Sequence, residues 1–187
     1  MLPLAFHANR SPGDPSFSFG NRLFRAVWTI VWVSLASWTP PFLFAWRRFL
    51  LRSFGAKIAD TARVYGSARI WYPPNLEMGE YACLASRVNC YCMGKISLAD
   101  HALASQGSHL CAGTHNIDDP SFQLITAPIQ VGARAWIAAE AFVGPGVRVG
   151  EGAVLGARGV TFKDLEPWTV YAGNPAREIR KRDLHNR

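Results

Sequence analysis

One histidine in this chain is placed to do chemistry. His115 stands in Gly113-Thr114-His115-Asn116, followed by Asp118, Asp119 and Pro120, a polar segment between Cys111 and Ile129. Polar residues that interrupt an apolar pattern read as an excursion loop, and loops held on rigid scaffolds gather functional groups. An imidazole exchanges protons near neutral pH, so it can take the proton of a hydroxyl while that oxygen attacks a carbonyl carbon. A surface histidine with no chemistry is the other reading of these residues alone. His7 and His185 lie in polar termini, His101 falls at a turn and His109 precedes the loop; these read as structural. Cys90 and Cys92 lack the two-residue gap of zinc and redox motifs, and with Cys83 and Cys111 they read as small packing residues in a reducing compartment.

The scaffold that must carry His115 shows in a six-residue period. Val131, Ile137, Val143, Val149 and Leu155 are each followed by a small residue (Gly132, Ala138, Gly144, Gly150, Gly156) and, four residues on, by Ala135, Ala141, Val147, Ala153 and Gly159. Ile58, Val64 and Ile70 lead Ala62, Ala68 and Pro74 in the same way, and Met78, Leu84 and Cys90 lead Ala82, Val88 and Gly94. A period of six is neither helical nor simply alternating. It fits a short strand plus a turn, with the aliphatic and the small residue both pointing inward, glycine easing the bend, and coils stacked so that parallel ladders enclose a narrow core. Two-residue slips, as from Ile70 to Met78, predict small bulges at corners.

Ahead of the repeat, Ala26 to Trp46 carries no charge and holds Trp28, Trp32, Trp38 and Trp46, flanked by Arg22, Arg25, Arg47, Arg48 and Arg52. Pro40 and Pro41 would break one long helix, so two are expected, near 21–38 and 41–53. Such a pair suits a cap over the open end of a core, peripheral contact with a membrane interface or, least well, a true span. The chain therefore divides into an arm and tryptophan-rich cap at 1–56 and a repeat domain at 57–187, the latter with loop 113–128 and a tail. The net charge of +7 over 187 residues is spread without a dense run. It fits an anionic small molecule, lipid head groups or nucleic acid without choosing among them. No apolar stretch directly follows a basic start as a signal peptide would need, so a cytoplasmic protein is expected.

Several segments together carry a family resemblance. Gly113-Thr114-His115-Asn116, Ala135-Trp136-Ile137-Ala138, Lys163-Asp164 and the ending Pro167-Trp168-Thr169-Val170-Tyr171-Ala172-Gly173-Asn174-Pro175-Ala176-Arg177 resemble the maltose and galactoside O-acetyltransferase group of hexapeptide-repeat acyltransferases. The helical start and Glu166-Pro167-Trp168-Thr169-Val170 are most similar to the acetyltransferases of colanic acid biosynthesis. The resemblance implies a mainly β fold, a left-handed parallel β-helix with three hexads per triangular coil, an N-terminal helical segment and a short C-terminal helix. It implies acetyl-CoA as co-substrate, no metal, a sugar or lipid-linked saccharide as acceptor, a homotrimer and no nucleic-acid partner. By matching motif, His115 is the general base and Asn89 contacts the acceptor, although Asn89 also reads as a turn-stabilising residue inside the stack. Trp136, Ala139 and Ala157 border the CoA arm, and Lys163 and Arg180 meet its phosphates. Related enzymes often have serine where this chain has Ala139, so here only a backbone N–H could stabilise the oxyanion at that point. An N-acetyltransferase on an amino sugar and a non-catalytic membrane-associated scaffold are the alternatives. A zinc hydratase on the same helix needs three convergent histidines, and the spacing of His101, His109 and His115 would spread them over different faces.

Overall fold

The computed structural model describes residues 17–183; His7, His185 and residues 1–16 of the expected arm lie outside them. Two helices come first, α1 (Phe19–Leu35) and α2 (Phe44–Ser53). The Ser18 side chain caps α1 by accepting from the Asn21 N–H at 3.2 Å, and Pro40-Pro41 fall in the break between the helices. The first coil follows as β1 (Lys57–Ile58), β2 (Arg63–Val64) and β3 (Arg69–Ile70). The second is β4 (Leu76–Met78), β5 (Cys83–Leu84) and β6 (Asn89–Tyr91), and the third β7 (Ile96–Leu98), β8 (Leu103–Ala104) and β9 (His109–Cys111). Here the chain leaves as an antiparallel hairpin, β10 (Gly113–His115) and β11 (Leu124–Thr126). It re-enters as β12 (Ile129–Val131), β13 (Trp136–Ile137) and β14 (Phe142–Val143), then β15 (Arg148–Val149), β16 (Val154–Leu155) and β17 (Val160–Thr161). The last coil holds a bridge from Leu165 to Val149 and β18 (Thr169–Ala172), edged by β19 (Arg177–Lys181).

These coils make a parallel β-solenoid of about six turns with three faces. The first face is β1-β4-β7-β12-β15, the second β2-β5-β8-β13-β16-β18 with β19 at its end, and the third β3-β6-β9-β14-β17. Hexad aliphatics such as Val64, Leu84, Ile137 and Leu155 are fully buried, with Ala62, Ala82, Ala102 and Ala153 beside them at the small positions. Each large aliphatic taken from water contributes roughly 1.5–3 kcal/mol, which sustains a core one side chain wide.

Three details differ from the sequence reading. The slip after Ile70 is a 3-10 turn at Pro73–Asn75, and Pro74 is exposed rather than packed inward. Pairing of Ile58 with Met78 and of Met78 with Leu98 steps by twenty residues, whereas Val131 with Val149 steps by eighteen, so the early corners hold the extra pair. Glycine after the aliphatic also has another cause than a left-handed backbone. A Cβ on Gly150 would lie 2.5 Å from the Pro167 nitrogen in the coil above, while the positive-φ turn positions are filled by residues such as Tyr81, His101 and Glu140. The expected C-terminal helix is instead β19. The chain reverses after β18 and pairs back on it antiparallel, which gives the edge of the last coil hydrogen-bond partners.

The helix pair closes the other end. Each coil donates its strand N–H groups to the next: Ala59 to Met78, Arg63 to Ala82, Tyr65 to Leu84, Arg69 to Val88 and Trp71 to Cys90. The first coil therefore presents the carbonyls of Ile58, Ala62, Val64, Ala68 and Ile70 with no coil beneath, and each would cost about 1–3 kcal/mol if buried unpaired. Side chains of the helices reach all of them. Arg52 Nε donates to Ile58 at 2.8 Å, Arg48 Nη1 to Ala62 at 3.0 Å and Arg47 Nε to Val64 at 2.6 Å. Trp32 Nε1 donates to Ala68 at 3.0 Å and Trp28 Nε1 to Ile70 at 2.7 Å. The opposite side of the pair leaves Leu23, Val27, Ile30, Trp38, Phe42 and Phe49 exposed, and no described helix is long and apolar enough to cross a membrane.

Candidate active site

His115 ends β10, in register with Leu124 across the hairpin. The segment read as a loop thus leaves and returns as a short two-stranded ribbon at the corner between the third and first faces. Its tip is fixed locally. The Asp119 carboxylate accepts from the Ser121 N–H at 2.8 Å and from the Ser121 hydroxyl at 2.6 Å, and these bonds hold the Asp119 side chain below the usual carboxylate range. Asn116 N–H donates to the Gln123 carbonyl at 2.8 Å, and Phe122 adopts a left-handed backbone with φ 48°. That conformation brings both ends of Phe122 to the imidazole: its carbonyl lies 2.8 Å from His115 Nδ1, and its ring stacks on the imidazole at 4.4 Å with planes 12° apart.

A carbonyl oxygen can only accept, so Nδ1 carries the hydrogen and donates it. In the neutral ring Nε2 is then the basic nitrogen, and it has no partner among the described residues. The imidazole is exposed and held in plane by Phe122, a base with its lone pair free.

Asn89 lies on the third face in an outward row with Arg69, His109 and Phe142 on neighbouring coils. Its amide nitrogen is 3.2 Å from His109 Nε2, and the His109 ring meets Phe142 and Tyr91 edge-on. Burial lowers the proton affinity of His109 below the ordinary imidazole value, so the ring is neutral and accepts from Asn89. Asn89 thus sits on a strand rather than at a turn and braces the stack through His109, and its carbonyl oxygen has no partner among the described residues.

Trp136 is on the second face, its indole N–H donating to Ser105 Oγ at 2.8 Å. Ala139 and Ala157 lie one above the other at the corner between the second and third faces, linked by the Arg158 N–H donating to the Ala139 carbonyl at 2.9 Å. The amide N–H groups of Ala139 and Ala157 themselves have no partner among the described residues.

Comparison with known proteins gives the chain its family. The chain is 41% identical over 166 residues to WcaF of Escherichia coli K12, a protein named as a colanic acid biosynthesis acetyltransferase; the match covers 89% of this chain and 91% of that protein. The chain belongs to the hexapeptide-repeat acetyltransferases. No protein-family model matches it. Among solved structures, a maltose O-acetyltransferase from Clostridium difficile 630 superposes with TM-score 0.78 at 24% identity, covering 89% of this chain and 90% of that one. A hexapeptide-repeat acetyltransferase from Vibrio cholerae O1 biovar eltor, crystallised with acetyl coenzyme A, superposes with TM-score 0.79 at 20% identity, covering 90% and 92%. At these identities the superpositions speak for the fold.

Apart from Asn89 on the third face, the expected site residues of the acetyltransferase fall into two groups. Trp136, Ala139 and Ala157 share the second face and its corner with the third, and Arg180 is on β19 at the end of that second face, opposite Val170. His115 and Lys163 both leave the corner between the third and first faces, Lys163 tethered through its backbone to the Thr161 hydroxyl. Lys163 and Arg180 form no ion pair among the described residues. Sequence reasoning missed Phe122 and Ser105. The partner of His115 is visible only once the hairpin register is known, whereas Ser105 stands one coil below Ala138, at the corner that also holds Ala139, and was open to a count along the coils. His101, His109 and His115 occupy a turn, the third face and the hairpin, and among the described residues no three His, Cys, Asp or Glu side chains group as a metal site.

Proposed function

We propose that this acetyltransferase moves the acetyl group of acetyl-CoA to a hydroxyl of a saccharide in surface-glycan or exopolysaccharide assembly, with His115 as general base. The observation that carries the reading is the Nδ1–H bond to Phe122, which leaves Nε2 as a free base on an exposed, oriented ring. Nε2 takes the hydroxyl proton as the oxygen attacks the thioester carbon. The tetrahedral adduct then expels the CoA thiolate, which takes the proton from the imidazolium, so that ester and thiol leave and His115 is neutral again. With alanine at 139, oxyanion stabilisation falls to backbone, and the unpartnered N–H groups at Ala139 and Ala157 suit both that role and the amides of the pantetheine arm.

The division of site residues between two corners supports a homotrimer, in which one copy's His115 corner meets the Trp136 and Ala139 corner of the next. Lys163 and Arg180, without carboxylate partners among the described residues, are the cations for the CoA phosphates. The exposed apolar side of the helix pair, with Arg22 exposed beside it, supports peripheral contact with an anionic bilayer on the cytoplasmic side, where lipid-linked acceptors would be presented.

Acetyl transfer from acetyl-CoA to a panel of glycosides tests the chemistry. An ester product, labile to hydroxylamine, is expected, while an amide would move the reading to an N-acetyltransferase. Absence of acetyl-CoA binding in a calorimetric titration would leave only a scaffold. Light scattering checks the trimer, and flotation with vesicles containing phosphatidylglycerol checks the membrane contact.

A further inference from the structure

A recess lies between α1 and the third face, where Tyr91 of β6 is in register with Cys111, two residues before the His115 hairpin begins. It has a volume of about 400 Å³, and Arg25, Arg69, Trp32, Asn89 and Tyr91 are among the residues around it. Two independent elements supply its cations. Arg25 projects from α1, while Arg69 comes from β3, in register with Asn89.

Neither arginine is consumed by structure. Arg25 spends Nε on the Asn21 side-chain oxygen at 2.9 Å, and its guanidinium lies 4.2 Å over the Trp71 ring, which sets the plane of the fork. Its two terminal nitrogens, and the whole Arg69 guanidinium, have no hydrogen-bond or ion-pair partner among the described residues. The same holds for the Tyr91 hydroxyl and the Asn89 carbonyl oxygen. Burial, with Arg22 adding like charge, disfavours the ionised form of Arg25. The recess thus combines two guanidiniums, a hydroxyl and an amide oxygen that are unpaired among the described residues with tryptophan faces whose N–H groups are already committed to the first coil. Planar guanidinium forks match the oxygens of carboxylates and phosphates, and aromatic walls with scattered polar atoms match a sugar ring.

We infer that this recess is the acceptor pocket and that the acceptor is an anionic saccharide, whose carboxylate or phosphate is held between Arg25 and Arg69 while its ring hydroxyls meet Asn89 and Tyr91. The inference rests on the sugar acetyltransferase reading and narrows its substrate class.

Binding to the full-length protein, followed by ligand-observed NMR, tests it independently of turnover. The probes are methyl β-glucuronide, glucose 1-phosphate and the neutral methyl β-glucoside. At least one charged probe is expected to bind about tenfold or more tightly than the neutral one, as for a desolvated charge pair; whichever binds better identifies carboxylate or phosphate as the anion. Arg25→Gln and Arg69→Gln should each remove that preference and leave the neutral probe unchanged. Arg63→Gln, on the second face, should keep it. Equal binding of charged and neutral probes, or a preference that survives Arg69→Gln, overturns the inference; Arg69 is exposed on a strand, so its variant decides even if Arg25→Gln fails to fold. Transfer assays on the same proteins separate the two readings. Arginine-dependent binding of a charged probe with no acetylation of any saccharide keeps the pocket and removes the acetyl-transfer function, whereas acetylation of neutral sugars indifferent to Arg25 and Arg69 does the reverse.

Discussion

The helix cap and the His115 hairpin use polar side chains in opposite ways. In the cap, Arg47 is fully buried and all three of its nitrogens are bonded: Nε to Val64, Nη1 to Thr39 and Pro40, and Nη2 to Pro41. On the hairpin, His115 is exposed and bonds through one nitrogen while the other is left open. A group whose hydrogen bonds are all used inside the protein can only hold it together, and a group with a free lone pair or N–H can still meet a substrate. Substitutions in the two regions should therefore separate stability from turnover.

The largest effect is expected at the hairpin. His115→Ala should lower kcat by about 10²- to 10⁴-fold, the usual yield of general-base catalysis, without moving Tm or acetyl-CoA binding. Normal turnover in that variant, measured by thiol release, would exclude His115 from the mechanism.

The cap should show the converse. Arg47→Met leaves the carbonyls of Val64, Thr39, Pro40 and Pro41 without their donor and is expected to cost about 3 kcal/mol in urea unfolding. Trp28→Phe keeps the ring close to its packed shape but loses the bond to Ile70, for about 1–2 kcal/mol. Neither should change the kinetic constants of the protein that remains folded. A loss of kcat with unchanged stability in Arg47→Met would break the division between the two regions.

This division also explains what could be read from the sequence. The inward residue of each hexad recurs because every coil meets the same narrow core, so fold and register were legible from Val131 to Leu155 without coordinates. Two helices on either side of Pro40-Pro41 were legible as well, but the face they pack was not, since Trp28 and Trp38 look alike in sequence. Only the orphan carbonyls of the first coil decide that Trp28 turns inward, while Trp38, in the turn after α1, stays exposed and closes its N–H on the Ser34 carbonyl of that helix. Asn89 and His109 are twenty residues apart, one early coil, and that pairing could have been found by extending the register from Met78 and Leu98. The tail could not, because Arg177–Lys181 is exposed throughout and has no apolar period to distinguish strand from helix.

Smaller effects sharpen the comparison among exposed cations. Lys163→Ala and Arg180→Ala should each raise KM for acetyl-CoA by about three- to tenfold, in keeping with solvent-exposed charge contacts, with kcat and Tm preserved. The increase should shrink when dephospho-CoA thioester replaces acetyl-CoA for whichever cation meets the 3′-phosphate. An unchanged KM in both variants would return these residues to the solvated surface.

The finest test concerns His109, half-buried on the third face beside Asn89. Burial holds its proton affinity below the ordinary imidazole pKa of about 6.5. The unfolded chain therefore binds a proton at this residue at a higher pH than the folded chain does. Stability from the neutral ring is fully present above the unfolded value, falls as pH drops below it, and levels off under the folded value. Denaturant unfolding at closely spaced pH values from 8 down to 5 should show this slope in the wild type, on the order of one proton or less. His109→Gln, which can still accept from Asn89, should remove it, leaving a flatter curve with little change at pH 8. If the slope survives the substitution, the acid sensitivity belongs to other groups and His109 is no more than a packing residue between Tyr91 and Phe142.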